Sequence, residues 1–253
     1  MKIAVCLFGQ PRDFDKSSRS IVNFFDSIGE IDYFIHTWNG KSYSHNSENA
    51  TIEVLDLDLI KEEILTAYKP IKVDVDEYSI LDCYLSDFMY QYKTPFGESV
   101  DSNWKVYNIV GMYYSIEKVQ SMRCEYELEN SFEYDLVFNM RLDSNMWKRV
   151  SVDYFDRIKK NIMEQKPSNL LYVESLNLNR GDVCMEDHWF ISDSRGLKVF
   201  TINLVENLIF ISKEKFRGQW IHNEVIFGMN AINTKITVNR LNLPHCLTRD
   251  YII

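Results

Sequence analysis

Paired cysteines, long apolar runs and basic stretches are all missing from this 253-residue sequence. The five cysteines are odd in number and show no Cys-x-x-Cys spacing, which disfavours both a zinc site and a disulfide framework. No run reaches the roughly 18 apolar residues of a membrane span, and the apolar part of the N-terminus is too short for a signal peptide. We therefore expect a cytoplasmic protein with reduced thiols and no transmembrane segment.

The charge balance narrows the possible partners. The formal net charge is −9 and no run of lysine or arginine occurs, so no nucleic-acid partner is expected. An acidic protein that binds an anionic phosphate group needs a local source of positive charge, which can be a metal ion, a helix N-terminus or a few arginines. A hydrophobic content of 45% is enough to fill a core.

Short apolar runs alternate with helical patterns along the chain, which is typical of an α/β fold with a mostly parallel sheet flanked by helices. No linker or repeat divides the sequence, so we predict one domain over residues 1–253. The predicted strands are 3–8, 31–37, 71–75, 134–140, 170–173, 189–192 and 235–243. The predicted helices are 17–25, 57–68, 103–129, 152–163, 195–205 and a last one that opens at 220.

Ligands of open α/β sheets bind outside the carboxyl ends of the strands, so the residues at those ends are the first candidates. The first strand ends in a Gly9-Gln10-Pro11-Arg12 turn, in which Gln10 and Arg12 could hold a diphosphate or a base edge. Pro11 makes this turn rigid. The alternative is an ordinary strand-to-helix turn with an exposed arginine.

The strand predicted over 134–140 delivers Arg141-Leu142-Asp143 at its end. A carboxylate in this position can bind a divalent cation that neutralises a diphosphate leaving group. Because Arg141 and Asp143 are two positions apart, their side chains point to the same side of an extended chain. The alternative is an Arg–Asp ion pair that closes the strand.

The remaining candidates are less specific. Asp187 and Glu224 are carboxylates that could activate an acceptor hydroxyl. Glu186 lies beside Asp187, so the sequence does not decide which of the two carboxylates would act. Glu224 could instead be an acid in the first turn of a helix, where the helix dipole favours it without any catalytic role. His36 and Trp38 end the second strand, where a histidine is more often packed than catalytic.

Six segments of the chain, taken in order, resemble a group of glycosyltransferase-like proteins from large DNA viruses, phages and bacterial surface-polysaccharide loci. They are IAVCLFGQPR at 3–12, FIHTW at 34–38, MYYSI at 112–116 with the lysine at 118, YDLVFNMRLD at 134–143, EDHWF at 186–190 and HNE at 222–224. The order of these short motifs is more specific than any one of them. In this comparison Arg141-Leu142-Asp143 is an Arg-x-Asp version of the metal-binding Asp-x-Asp motif.

The resemblance implies a GT-A (Rossmann-like) glycosyltransferase that moves a sugar from a nucleotide-sugar donor to a glycan, a lipid-linked glycan or another hydroxyl acceptor. Residues 1–143 would form the nucleotide-binding half and residues 144–253 the acceptor-binding half. Asp143 would bind Mn²⁺ or Mg²⁺, although Arg141 in place of the first aspartate leaves the metal requirement open. The residues expected to hold the donor are Phe8, Gly9, Gln10, Pro11, Arg12, His36, Trp38 and Arg141.

The stereochemistry and the reaction class stay open at this point. An inverting enzyme would use Asp187 or Glu224 as base, whereas a retaining enzyme needs no base in the same place. A sugar nucleotidyltransferase is an alternative, but it would favour a glycine-rich first loop with a lysine, and Gly9-Gln10-Pro11-Arg12 has neither. A second alternative is a non-catalytic nucleotide- or carbohydrate-binding module.

Overall fold

The computed structural model describes residues 1–26, 28–41, 53–82, 101–146, 152–164, 170–173, 176–177, 184–185, 188–215, 223–241 and 245–247. The strands of the main sheet are β1 (Ile3–Gly9), β2 (Ile31–Trp38), β5 (Lys72–Asp76), β6 (Leu136–Arg141), β8 (Leu170–Val173), β11 (Trp189–Ser192) and β12 (Thr237–Arg240). Short strands outside that sheet are β3 (Gly40–Lys41), β4 (Glu53–Val54), β7 (Ser144–Met146), β9 (Leu176–Asn177), β10 (Cys184–Met185) and β13 (His245–Leu247). The helices are α1 (Phe14–Phe25), α2 (Leu57–Tyr68), α3 (Asp101–Glu129), α4 (Val152–Glu164), α5 (Ser194–Thr201), α6 (Leu204–Lys215) and α7 (Asn223–Asn233).

The main sheet has seven strands in the order β12-β8-β11-β6-β1-β2-β5. Every neighbouring pair is parallel except the two pairs that β11 makes with β6 and β8. The predicted α/β class with a mostly parallel sheet is therefore confirmed. Strands from both predicted halves of the chain join this one sheet, and the functional division of the halves stays a prediction.

Alternate side chains of β1 face two separate cores, as expected for a strand with helices on both faces. Ile3, Val5 and Leu7 pack with α1, α2 and α4, whereas Cys6 and Phe8 pack with α3, α5, α6 and α7. The sheet is thus covered on both sides by apolar helix faces. This burial explains why β1 reads as an uninterrupted apolar run in the sequence.

The register brings the carboxyl ends of four parallel strands together. Gly9 pairs with Thr37, Phe8 pairs with Arg141, and Trp38 pairs with Asp76. We call the end of the sheet formed by the last residues of β1, β2, β5 and β6 the carboxyl edge. This is the edge at which the sequence predicted a ligand.

Two predictions of local structure need correction. The single helix predicted over 195–205 is two helices, because Ile202 is extended and Asn203 has a left-handed φ of 52°. Residues 177–186 lie outside the predicted strands and helices but contain part of an antiparallel strand pair, in which Cys184 lies opposite Asn177. The described part of the chain has no helix that is long and apolar enough to cross a membrane.

Candidate functional site

The turn after β1 holds its arginine inside the protein. Gly9 has a φ of 102°, a conformation that side chains with a Cβ rarely adopt, and it lets the chain turn sharply at the end of the strand. The Arg12 amide then donates to the Gln10 carbonyl at 2.9 Å, and α1 begins two residues later. Arg12 is only 8% exposed, so the alternative prediction of an exposed arginine is wrong.

The turn is fixed to both neighbouring strands. The Thr37 hydroxyl of β2 donates to the Gly9 carbonyl at 2.7 Å. The Leu142 amide, just past β6, donates to the Phe8 carbonyl at 2.8 Å. These bonds place Arg12 beside the segment that carries Arg141.

Arg141 and Asp143 form a two-point ion pair at the end of β6. Arg141 Nε donates to Asp143 Oδ1 and Arg141 Nη2 donates to Asp143 Oδ2, each at 2.9 Å. Arg12 Nη1 reaches the same Oδ2 at 3.4 Å, and Asp143 is 2% exposed. The predicted ion pair is present, and a second arginine from the β1 turn joins it. We call these three residues the Arg–Asp–Arg cluster.

The cluster holds more positive than negative charge. Two guanidinium groups face one carboxylate, so the three side chains together carry one net positive charge. Burial lowers the pKa of Arg12 below its usual range, Asp143 opposes this effect, and the charge of Arg141 adds to it. Arg12 Nε is buried and has no hydrogen-bond partner among the described residues. A buried guanidinium donor with a second arginine beside it favours an anionic ligand with oxygen acceptors.

A divalent cation at Asp143 does not fit these contacts. Mn²⁺ and Mg²⁺ need open oxygen ligands at about 2.1 Å, but both Asp143 oxygens already accept from guanidinium groups, whose charge repels a cation. Within the described ranges, no three His, Cys, Asp or Glu side chains are grouped so that they could hold a metal ion. The predicted ion stays a prediction, and no step of the proposed reaction is assigned to it.

His36 lies on the same edge but is fully enclosed. Its Nε2 donates to Asp76 Oδ2 at 3.1 Å, because a carboxylate can only accept, and Nδ1 accepts from the Ser115 hydroxyl at 2.8 Å. The Tyr114 hydroxyl also donates to Asp76, at 3.0 Å. Burial lowers the pKa of His36, and the hydrogen bond from His36 lowers the pKa of Asp76. His36 is therefore a neutral, packed side chain that fixes β2 against β5 and α3.

Buried aromatic rings pack beside the His36 group. Trp38 packs edge-on against Tyr78 with a centroid separation of 5.8 Å and lies 5.3 Å from the Tyr114 ring. Burial raises the pKa of Tyr78 to about 12, while the charge of Arg12 and the Gln10 side chain act in the opposite direction. Tyr78 thus connects the aromatic group to the β1 turn. The sequence did not single out Tyr78, and the only signal was its position two residues after the end of β5.

The other predicted site residues lie at the β1 turn, in α7 or outside the described residues. The Phe8 ring lies in the core against Phe190, so only its backbone reaches the carboxyl edge. Pro11 is buried and Gln10 is partly exposed, both within the turn. Glu224 is exposed in the first turn of α7 and, among described residues, forms no ion pair with the Arg–Asp–Arg cluster. Asp187, Glu186 and His222 lie outside the described residues.

Comparisons of the sequence with known proteins find no significant match. No protein-family model matches the chain, and no curated protein matches its sequence at a significant level. Among solved structures, the chain is similar to mouse xyloside xylosyltransferase 1 in its apo form, with a TM-score of 0.46 and 8% identity. The likeness covers 95% of this chain and 84% of that chain. At this level it carries no functional argument, so the proposal below depends on the contacts at the carboxyl edge.

Proposed function

We propose that this protein is a GT-A-like glycosyltransferase that moves a sugar from a nucleotide-sugar donor to a hydroxyl acceptor. The observation that carries the proposal is the convergence of Arg12 and Arg141 on buried Asp143 at the carboxyl edge. Guanidinium groups match the geometry of phosphate oxygens, and a diphosphate offers acceptor oxygens to both arginines. The neighbouring Trp38 and Tyr78 rings are buried and support this edge from within the core.

The proposed reaction breaks the bond between the anomeric carbon and the diphosphate oxygen. The nucleoside diphosphate leaves with the electron pair, and the acceptor oxygen forms a new bond to the anomeric carbon while its proton passes to a base. Arg12 and Arg141 stabilise the charge that develops on the departing diphosphate. Asp187 and Glu224 remain the candidates for the base if the configuration is inverted.

The acceptor that we propose is a glycan or a lipid-linked glycan, and the compartment is the cytoplasm. The odd cysteine count supports the compartment. Cys6 and Cys124 are free thiols. Burial raises the pKa of Cys6 to about 12, as expected for a structural thiol.

The direct test is a panel of UDP-, GDP- and dTDP-sugars, each followed by melting temperature and by release of nucleoside diphosphate. We expect one nucleotide class to raise the melting temperature and to be turned over, because a ligand of the native state stabilises it by mass action. Arg141→Gln should lose both signals. Arg195→Gln is the matched control, since Arg195 pairs with Glu133 at the exposed surface.

Three other results would change the assignment. Absence of any shift or release at millimolar donor, with folded protein, contradicts the glycosyltransferase proposal. Formation of pyrophosphate from a nucleoside triphosphate and a sugar phosphate would identify a nucleotidyltransferase. Binding of a nucleotide sugar that is never turned over with any acceptor or with water would identify a non-catalytic module.

A further inference from the structure

We infer that Arg12 and Arg141, rather than a divalent cation, neutralise the donor diphosphate, and that Asp143 is the positioning residue that holds the two guanidinium groups. The inference rests on the proposed function and deepens it. It reverses the role that the sequence predicted for Asp143. Three observations at the carboxyl edge support it.

The first observation is the way in which the Asp143 carboxylate is used. Arg141 donates one hydrogen bond to each carboxylate oxygen, and Arg12 donates a third to Oδ2. A metal ligand needs a lone pair directed at open space, whereas this carboxylate is 2% exposed and directed at guanidinium nitrogens. The fork-to-fork geometry fixes the plane of the Arg141 guanidinium and so prepares it for a ligand.

The second observation is the unmet hydrogen-bonding capacity of Arg12. Its Nε is buried without a hydrogen-bond partner in the described part of the chain, and the hydrogen bond from its Nη1 to Asp143 is long at 3.4 Å. A side chain that is buried and incompletely satisfied is expected where a ligand completes the set. A diphosphate oxygen is an acceptor of the right charge for this nitrogen.

The third observation is the placement of the two arginines on neighbouring strands. Phe8, four residues before Arg12, lies opposite Arg141 in the β1–β6 register. The two guanidinium groups therefore approach Asp143 from adjacent strand ends. In a protein of net charge −9, two arginines at one edge of the sheet are a local source of positive charge for an anionic ligand.

Binding measured in the presence of chelator tests the inference on the wild-type protein. Titration calorimetry would follow inorganic diphosphate, UDP, GDP and dTDP, first in excess EDTA and then with Mn²⁺ or Mg²⁺. We expect diphosphate and one nucleotide to bind in EDTA with affinities within about threefold of those with metal. Mn²⁺ alone, followed by its electron paramagnetic resonance signal, should show no site at submillimolar concentration.

Variants then separate the two roles of the cluster. Arg12→Gln and Arg141→Gln should each weaken binding in EDTA by about tenfold or more, because each removes a charge-assisted hydrogen bond. Asp143→Asn keeps the shape but removes the negative charge and turns one of the two acceptors that orient Arg141 into a donor, so diphosphate should bind more weakly than to wild type in EDTA. The loss should be equal with and without Mn²⁺, whereas the loss of a metal ligand would lower only the metal-dependent binding. Arg195→Gln should leave every affinity unchanged.

The outcomes distinguish a failure of this inference from a failure of the proposed function. Nucleotide binding that requires Mn²⁺ and disappears in Asp143→Asn overturns the inference and leaves the glycosyltransferase proposal intact. Diphosphate binding in EDTA without binding of any nucleoside diphosphate supports the arginine assignment and contradicts the proposed donor. If neither diphosphate nor nucleotide binds in either condition, both are overturned.

Discussion

Two buried arginines of this protein have very different surroundings. Arg123, in the middle of α3, is fully buried, and each of its three guanidinium nitrogens has a partner. Arg12, at the carboxyl edge, has one long bond and a buried Nε without a partner in the described structure. Both are buried cations, but only one is satisfied by the protein itself.

The Arg123 group is a closed structural network. Arg123 Nε donates to Gln120 at 2.9 Å, Nη1 binds Glu127 and Ser194, and the Ser194 hydroxyl donates to Glu127 at 2.8 Å. Gln120 in turn donates to Asn139 of β6 at 3.0 Å. Here one cation meets one anion, and the network joins α3 to α5 and the sheet. The comparison shows that burial alone does not tell a structural arginine from a ligand-binding one. The difference is whether the protein itself supplies hydrogen-bond partners for every guanidinium nitrogen.

The largest expected effect is the loss of stability when Arg123 is removed. Arg123→Met leaves Glu127 as a buried carboxylate without its cation, so the free energy of unfolding should fall by about 3–5 kcal/mol. Urea denaturation followed by circular dichroism measures this change. Adding Glu127→Gln should recover part of the loss, and a single-variant loss below about 1 kcal/mol would contradict the structural role.

A smaller effect is expected from the turn that carries Arg12. Gly9→Ala should lower the free energy of unfolding by about 1–3 kcal/mol, because alanine is strained at a φ of 102° although its Cβ would meet no atom within 4 Å. Gly29→Ala is the matched control, since Gly29 also has positive φ and open space. Both variants should lose stability, but only Gly9→Ala should also weaken nucleotide binding. Equal binding by both would show that the turn does not position the site.

The enclosed histidine should make stability depend on pH. Burial holds the folded-state pKa of His36 below its ordinary 6.5, so the unfolded chain takes up this proton first as the pH falls. The free energy of unfolding should therefore decrease below pH 6.5 by at most about 1.4 kcal/mol per pH unit, until the folded-state pKa is passed. Urea titrations between pH 7.5 and 5 give the free energy of unfolding at each pH. In His36→Gln this free energy should fall less steeply with decreasing pH than in wild type. Identical slopes for the two proteins would refute it.

The smallest expected change in stability is that of Arg12→Gln. Removing Arg12 relieves its repulsion with Arg141 and the cost of its burial, which offsets the loss of one long hydrogen bond, so the free energy of unfolding should stay within about 1 kcal/mol of wild type. The same urea assay gives the value. A loss as large as that of Arg123→Met would erase the contrast between the two arginines and would make Arg12 a structural residue.

Much of the fold could be predicted from local patterns in the sequence. The continuous apolar runs gave β8 and β11 with their observed bounds, and the α2 helix was predicted over its observed residues. Asp56 explains the start of α2, because its side chain accepts from the amides of Asp58 and Leu59. The break between α5 and α6 was missed, since a non-glycine residue in left-handed conformation at Asn203 leaves no reliable sequence signal.

The candidate site could be predicted only in part. The edge at which a ligand would lie follows from strand order, and Arg12, Arg141 and Asp143 were named from their positions after apolar runs. Their mutual contacts could not be predicted, because they depend on the β1–β6 register across more than 120 residues of chain. The function of these residues and the donor-binding roles of the others stay predictions.

The position of β11 has a consequence for how the chain assembles during synthesis. Strands β6, β1, β2 and β5 all lie within the first 141 residues and are contiguous in the sheet, whereas β6 meets the rest of the sheet only through β11. While Trp189–Ser192 is unpaired, β6 is therefore an open strand edge, the kind of edge on which other chains can pair. The antiparallel strand closes that edge with residues that the ribosome supplies only after all four of these strands.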